Sequence, residues 1–335
     1  MAEKLVTLEE IREAQRRIEG VAVKTGLYRL DPARMAAAGF DAISADGPEI
    51  YIKAESEQPI GSFKLRGAYN KVSSLDAETL QRGVITYSSG NHAQGVGYAA
   101  RALKSKAVIV MPDNAPYIKR DATAALGAEI VLVGPASAER KIKAEELESE
   151  HGYTMVPPYD DRFVIAGQAT CGVEIVDQLP DVELVIAPVS GGGLLSGVAT
   201  AVKYLSPKTQ VWGAEPALAG DAKESFDTKH LVEWPAAKTT QTIADGLRTQ
   251  SLGESNFAHI LQNVDGIISV TEDEILQAIR IYLLATDLVP EPSGAVTLAA
   301  ALFHWRELPQ VKRVAIVLSG GNLDPALRDD LLKSK

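Results

Sequence analysis

Several loops rich in small residues follow apolar segments of this chain, and one of them could bind an anion. Ser190-Gly191-Gly192-Gly193-Leu194 stands between an apolar strand pattern and a helical pattern. Because glycines lack a Cβ, successive amides can point at one anion, and the positive end of the following helix dipole adds to the attraction. The loop has neither the Gly-Lys-Ser/Thr of nucleotide triphosphate loops nor the spacing of dinucleotide loops. It therefore favours a phosphate cradle, with a tight packing turn as the alternative.

Lys64 lies in Gly61-Ser62-Phe63-Lys64-Leu65-Arg66-Gly67, directly before a helical pattern. Most lysines are solvated surface charges. A lysine shielded from water beside a phosphate cradle would have a lowered pKa and would be nucleophilic toward an aldehyde. An aldehyde that carries a phosphate is pyridoxal phosphate, which is the cofactor that these segments predict.

Two further loops combine hydroxyls and amides after apolar runs. They are Ser88-Ser89-Gly90-Asn91-His92 and Ser319-Gly320-Gly321-Asn322. Parallel sheets bind ligands beyond the carboxyl ends of their strands, where such loops lie. Ser319 taken alone is more often a helix-capping serine than a ligand.

The elements that must position these loops follow from the hydrophobic pattern. Predicted strands are Ile50 to Lys53, Val84 to Tyr87, Ala107 to Met111, Ile130 to Val133, Val185 to Pro188, Val211 to Ala214 and Val314 to Leu318. Helical patterns cover 65–77, 91–103, 116–126, 137–150 and 194–204, and a capping box of Thr7 and Glu10 begins an N-terminal helix. Continuous apolar strands separated by helices predict an α/β fold with a parallel sheet covered on both faces.

Composition narrows the function classes. The 335 residues include 34 Lys plus Arg and 44 Asp plus Glu, a net charge of -10, which argues against a nucleic-acid or anionic-membrane binder. The length predicts about two domains. The apolar runs are too short to cross a bilayer. One cysteine, Cys171, and an acidic start predict a reducing, cytoplasmic setting.

The ordered set of motifs resembles the fold-type II pyridoxal-phosphate enzymes of the serine/threonine dehydratase and serine racemase group. The resemblance is carried by the segments 60–68, 88–95, 164–168, 190–194, 291–295 and 319–322. It implies a tryptophan synthase β-like fold with two open, twisted, mainly parallel sheets flanked by helices. It also implies a large cofactor-binding domain (1–82 and 160–335) and a small, mobile domain (83–159) inserted in it. Ser190 and Ala169 stand where glycine is frequent in the family, and this difference bears on substrate preference more than on cofactor use.

The resemblance also assigns roles at the cofactor. Lys64 forms the Schiff base and acts as the base, and Phe63 packs against the ring. The amides of Gly191, Gly192, Gly193 and Leu194 hold the phosphate, Asn91 bonds the ring hydroxyl, and Ser319 meets the pyridine nitrogen. Ser88, Ser89 and Asn91 belong to the loop that binds the substrate carboxylate, and His92 supports that loop.

Three features bear on the subtype. Ser89 stands where racemases place a serine that exchanges a proton on the opposite face of the cofactor, so it is a second catalytic candidate. Glu215, the Ala219 carbonyl and Asp221 resemble a divalent-cation site, and oxygen ligands suit Mg, Ca or Mn; an acidic surface turn is the alternative. Arg140 lies near where a related arginine reaches a substrate's distal carboxylate, although exposed arginines are usually just solvated.

The resemblance therefore predicts a dehydratase that converts a β-hydroxy L-amino acid of threonine or serine type to a 2-keto acid and ammonia, in a homodimer. Serine racemase and L-threo-3-hydroxyaspartate dehydratase are the near alternatives. A nucleotide-dependent oxidoreductase and a non-catalytic metabolite sensor are more distant ones.

Overall fold

Two β-sheets of unequal size organise the chain. The computed structural model describes residues 5–40, 47–88, 90–113, 115, 117–134 and 137–333. The strands are β1 (Leu27–Arg29), β2 (Glu49–Ala54), β3 (Val84–Tyr87), β4 (Ala107–Pro112), β5 (Glu129–Val133), β6 (Thr154–Met155), β7 (Leu184–Pro188), β8 (Gln210–Pro216), β9 (Gly266–Val270) and β10 (Arg313–Leu318). One sheet has the order β1-β2-β10-β7-β8-β9 and the other has the order β5-β4-β3-β6.

Helices cover both sheets. They are α1 (Leu8–Ile18), α2 (Pro32–Ala37), α3 (Lys64–Ser73), α4 (Ala77–Arg82), α5 (Asn91–Ala102), α6 (Tyr117–Ala124), α7 (Ser137–His151), α8 (Arg162–Gln178), α9 (Gly193–Leu205), α10 (Asp221–Thr228), α11 (Ala236–Thr239), α12 (Glu254–Asn263), α13 (Glu272–Ala285), α14 (Pro292–Phe303) and α15 (Pro325–Lys333). Short 3-10 turns span Glu55–Glu57, Ala217–Ala219 and Asp245–Leu247. No helix in the described part of the chain is both long enough and apolar enough to cross a membrane.

The α/β prediction is confirmed. The ladders are parallel except for the antiparallel pair β1 and β2. All seven predicted strands are present, with ends that differ by at most two residues. β7 is buried along its whole length because it lies between β10 and β8 and is covered on both faces. Three strands were not predicted: β1, β6 and β9.

The N-terminal helix and the five predicted helical patterns are present, whereas α2, α8 and α10–α14 were not predicted. Among the predicted helices the main difference lies around α3. The helical pattern over 65–77 predicted one helix, but α3 ends at Ser73 and α4 begins at Ala77. Asp76 accepts a hydrogen bond from the Thr79 amide and caps α4, so a new N-cap replaces continued helix. The capping box at Thr7 and Glu10 is present at the start of α1.

The small sheet takes all four strands from residues 84–155. This range lies inside the segment 83–159 for which a separate domain is predicted, whereas the boundaries and the mobility stay predictions. Helix α3 packs against α5, which follows β3 of the small sheet, and against α8, which precedes β7 of the large one. The helix that Lys64 begins therefore lies where the two sheets meet.

Candidate active site

Lys64 begins α3, and the loop before it is joined to the loop after β10. Ser62 and Gly320 form an isolated antiparallel bridge. The Phe63 amide donates a hydrogen bond to the Ser319 carbonyl over 3.0 Å. Ser319 is 2% exposed and follows the last residue of β10. The structure therefore brings together the lysine and the serine that were singled out in separate segments.

The Lys64 amine is partly shielded from water. Its Nζ donates a hydrogen bond of 2.6 Å to the Pro158 carbonyl and lies 5.2 Å from the centroid of the Phe63 ring. Burial lowers the pKa of Lys64 to about 8, although the charge of Glu291 acts to raise it. A substantial fraction of such an amine is neutral near physiological pH, so it can serve as a nucleophile or a base. This is the property that the sequence argument required of Lys64.

The glycine loop turns sharply into α9. Ser190 has φ 57° and Gly192 has φ 96°, which places both in the left-handed region. Helix α9 begins at Gly193 with Gly192 as an N-cap that offers no side-chain acceptor. The first amides of a helix have no partner inside the helix, so those of Gly193 and Leu194 can bind an anion.

Bare backbone is required in this loop. A Cβ at Gly191 would lie 2.6 Å from the Tyr159 ring, and one at Gly193 would lie 2.9 Å from the Tyr159 Cβ. Side chains at these positions would collide with Tyr159 and displace the loop. The residues present thus fit the phosphate of pyridoxal phosphate.

Asn91 is held between two side chains from distant segments. Its Nδ2 donates to Oε1 of Glu291 over 2.7 Å, and its Oδ1 accepts from Nδ2 of Asn322 over 2.7 Å. Glu291 is 5% exposed, and burial raises its pKa to about 7. These contacts place Asn91, the predicted ring-hydroxyl ligand, beside a carboxyl group that acts electrostatically on Lys64.

The loop after β3 contains the remaining substrate-binding candidates. Ser88 accepts a hydrogen bond from the Gly90 amide through its Oγ, and Ser89 lies outside the described residues. His92 Nε2 lies 2.9 Å from the Val156 carbonyl oxygen. Burial, with a smaller contribution from the Lys64 charge, lowers the pKa of His92 to about 3. A neutral, buried imidazole bonded to the backbone agrees with the supporting role predicted for it.

Arg140 is partly buried on α7 rather than fully solvated. Its Nε is buried and has no hydrogen-bond partner among the described residues. Burial lowers the pKa of Arg140, and the nearby Tyr87 acts in the opposite direction. Tyr87 ends β3 directly before the Ser88 loop. This placement brings Arg140 toward the loop that is predicted to bind substrate.

Glu215 and Asp221 form a buried acidic pair beside Ala219. Oε1 of Glu215 accepts from the Lys223 amide over 2.8 Å. The other oxygen of Glu215, Oε2, and Oδ2 of Asp221 are buried and have no hydrogen-bond partner among the described residues. Burial raises the pKa of Glu215 well above its usual range, with repulsion from Asp221 adding to it, and burial raises that of Asp221 to about 7.

Unpartnered buried carboxylate oxygens are costly unless a proton or a cation neutralises them. Within the described ranges no group of three or more His, Cys, Asp or Glu side chains is placed to hold a metal. A cation here would therefore rely on two carboxylates, a backbone carbonyl and water. The set fits a hard divalent cation with oxygen ligands.

Sequence reasoning gave no role to three residues of this region. Glu291 and Asn322 were noted only as parts of motifs that carry the resemblance. Glu291 directly precedes Pro292 at the start of α14, where an acidic side chain is expected to cap the helix, but its carboxylate bonds Asn91 instead. Nothing in the local sequence marks Tyr159, because its contact with the glycine loop joins residues distant in the chain.

Comparisons with known proteins agree with this arrangement. The family model described as pyridoxal-phosphate dependent enzyme matches residues 37–320. The chain is 41% identical over 289 residues to the L-threo-3-hydroxyaspartate ammonia-lyase of Saccharomyces cerevisiae, covering 86% of this chain and 87% of that one. It is 38% identical over 320 residues to the serine racemase of Dictyostelium discoideum, covering 95% of each. The crystal structure of the T.th. threonine deaminase has a TM-score of 0.86 and 42% identity, with 95% of this chain and 99% of that chain covered.

Proposed function

Because the chain belongs to the family of pyridoxal-phosphate dependent enzymes, we propose that it is an ammonia-lyase for a β-hydroxy L-amino acid of threonine or serine type. The reaction removes the α-proton and the β-hydroxyl, and yields a 2-keto acid and ammonia. The observation that carries the proposal is the half-buried Lys64 amine, which bonds the Pro158 carbonyl and has its pKa lowered to about 8. The preceding residue, Phe63, bonds the Ser319 carbonyl. Glu291, which accepts a hydrogen bond from Asn91, acts electrostatically on the amine.

The proposed cofactor contacts are made by the residues of the candidate active site. Lys64 would hold pyridoxal phosphate covalently, and the amides from Gly191 to Leu194 would hold its phosphate. Asn91 would bond the ring hydroxyl and Ser319 the ring nitrogen. When bound, the coenzyme supplies an electron sink for the negative charge that develops at the substrate α-carbon. A neutral hydroxyl at Ser319 holds a proton on the ring nitrogen less firmly than a carboxylate would, which favours expulsion of a β-leaving group.

The proton transfers are assigned to the chain as follows. Lys64 would take the α-proton as the base, and its lowered pKa would keep part of the amine neutral for this role. Pro158 accepts a hydrogen bond from the amine and so limits its orientation. His92 is neutral and bonded to the backbone, so it supports the loop rather than exchanging protons. The leaving hydroxide would need a proton, which the phosphate of the bound coenzyme would supply, since no side-chain acid in these loops is a clear donor.

L-threo-3-hydroxyaspartate is a second candidate substrate. Arg140 favours it, because a partly buried guanidinium with an unpaired Nε is suited to a distal carboxylate. A racemase is the other alternative and would use Ser89 to exchange a proton on the opposite face.

We also propose a divalent cation, Mg, Ca or Mn, bound by Glu215, the Ala219 carbonyl and Asp221. The two unpartnered buried carboxylate oxygens support it. A cytoplasmic homodimer remains our proposal for the assembled enzyme, and light scattering of the purified protein measures the oligomeric state.

One assay separates these activities. The protein is incubated with L-serine, L-threonine or L-threo-3-hydroxyaspartate, and keto acid and D-amino acid are quantified separately with and without EDTA. We expect keto acid as the main product. D-serine without pyruvate would overturn the lyase assignment, and indifference to EDTA would count against a functional cation.

Lys64→Ala tests the site itself. Borohydride reduction followed by mass spectrometry should locate a pyridoxyl group on Lys64 in the wild type and on no lysine in the variant. Lys71→Ala is the matched control, because Lys71 lies on the same helix and pairs with Asp161 at 2.7 Å. The control should keep the adduct; an adduct on another lysine would contradict the proposed site.

A further inference from the structure

The amide of Asn91 has one defined orientation. Its oxygen faces a donor, Nδ2 of Asn322, and its nitrogen faces an acceptor, Oε1 of Glu291, each over 2.7 Å. Rotating the amide by half a turn would place two donors against each other at Asn322 and two acceptors against each other at Glu291. Asn322 and Glu291 together therefore fix the orientation of the Asn91 amide, with Oδ1 toward Asn322 and Nδ2 toward Glu291.

Two glycines make room for this arrangement. Gly61 has φ 70°, and a Cβ there would lie 2.6 Å from Oδ1 of Asn322. A Cβ at Gly320 would lie 2.5 Å from Oε1 of Glu291. Asn322 is further held because its Nδ2 also donates to the Ile60 carbonyl over 3.1 Å.

The two neighbours contribute unequally. Glu291 is almost fully buried and its amide donates to the Gly320 carbonyl over 2.9 Å, whereas Asn322 is exposed. Water competes with a hydrogen bond at an exposed side chain but not at a buried one. We therefore expect the contact with Glu291 to be the stronger constraint.

We propose that Glu291 and Asn322 are positioning residues that fix the Asn91 amide and leave its second Nδ2 hydrogen for the ring hydroxyl of pyridoxal phosphate. The amide nitrogen carries two hydrogens, and Glu291 accepts one of them. The inference rests on the proposed function, which places that ring hydroxyl at Asn91. Neither residue needs to touch the coenzyme to exert this effect.

The test compares three variants by coenzyme binding rather than by turnover. Asn322→Asp removes the donor to Asn91, Glu291→Ala removes the acceptor, and Glu291→Gln keeps an acceptor oxygen without the charge. We expect Glu291→Ala to weaken pyridoxal phosphate binding by about tenfold, roughly the loss of one hydrogen bond, and Asn322→Asp to weaken it by a smaller factor because its side chain is exposed. Both should change the visible band of the lysine-bound coenzyme. Glu291→Gln should bind within a few fold of the wild type and keep its spectrum.

Asn263→Asp is the matched control, because Asn263 bonds Thr200 on α9 and the substitution makes the same chemical change there. It should leave both readouts unchanged. If Glu291→Ala does not fold, Asn322→Asp still decides, since its side chain is exposed. Wild-type spectra and affinity in Asn322→Asp and in any folded Glu291→Ala would overturn the inference. Absence of the visible band from the wild type itself would instead overturn the proposed function.

Discussion

Two clusters of buried carboxylates differ in what neutralises them. Arg66 donates two hydrogen bonds to Glu55, of 2.7 and 2.8 Å, and two to Glu174, of the same lengths. Burial acts to raise the pKa of Glu55, but the Arg66 charge and hydrogen bonds outweigh it, so the pKa is lowered. At Glu215 and Asp221, each carboxylate keeps one buried oxygen without a partner among the described residues, and both pKa values are raised.

The difference shows that burial alone does not define a site. In the Arg66 cluster the chain supplies the countercharge, and the result is a structural core contact. At Glu215 and Asp221 the countercharge must come from a proton or a bound cation. Glu291 is intermediate, because it receives an amide hydrogen bond and the electrostatic influence of Lys64 yet keeps a raised pKa of about 7.

Removing Arg66 should cause the largest effect. Arg66→Met leaves Glu55 and Glu174 with fewer donors in a dry environment; Arg66 and Glu55 are both 0% exposed. Breaking a buried pair in this way typically costs about 3–5 kcal/mol. We expect the free energy of unfolding, measured by urea denaturation, to fall by that amount. A loss below about 1 kcal/mol would mean that the cluster is hydrated or rearranges, and the contrast with the acidic pair would disappear.

Adding a divalent cation should stabilise the acidic pair. For EDTA-treated protein, Mg²⁺, Ca²⁺ or Mn²⁺ at about one hundred times its dissociation constant should add about 2.7 kcal/mol to the free energy of unfolding. Asp221→Asn should remove most of this gain, because it removes a predicted ligand. Asp177→Asn, an exposed site elsewhere on the chain, serves as the control. Equal gains in wild type and Asp221→Asn would place the cation somewhere else.

The part of the fold that local pattern determines was predicted from the sequence. The sequences of β7 and β10 are nearly continuous apolar runs because helices cover both faces of the sheet at these strands. β1 and β6 have only three and two residues, too few for a periodic signal. α8 is buried on nearly all sides, so it lacks the polar face that marks a helix. β9 was missed although Gly266–Val270 has the short apolar run expected of a strand.

The site was predictable to the extent that its groups lie within short motifs. The glycine loop and Lys64 each sit in a recognisable segment, and their order along the chain carried the resemblance. The contact of Asn91 with Glu291 joins residues 200 positions apart, and no local spacing encodes it. The left-handed backbone at Ser190 is likewise not indicated by its residue type. Tertiary contacts thus decide which polar groups of a motif are partnered.

The charge that Glu291 retains can be measured through its effect on the pKa of Lys64. In coenzyme-free protein the rate of pyridoxal phosphate attachment should rise with pH until Lys64 is neutral, near its pKa of about 8, rather than near 10.5. The Glu291 charge raises the pKa of Lys64, so Glu291→Gln should move the plateau to lower pH. The shift should be clearest above pH 7, where Glu291 is mostly ionised.

Stopped-flow absorbance after mixing with the coenzyme gives this pH profile. Glu254→Gln, on the exposed start of α12, should reproduce the wild-type curve. An unchanged curve in Glu291→Gln would show that the carboxyl group carries no charge that Lys64 senses.

The smallest effect is expected at an ion pair whose geometry resembles that of Arg66 but whose environment does not. Arg34 donates two hydrogen bonds to Asp287, of 2.9 and 3.0 Å, yet the two side chains are 46% and 89% exposed. Water solvates both charges in the unpaired state, so little is lost when the pair is broken. Arg34→Met should leave the urea midpoint within the error of the measurement, and raised salt should not change that result. A loss comparable to that of Arg66→Met would show that bidentate geometry, rather than burial, sets the strength of ion pairs in this protein.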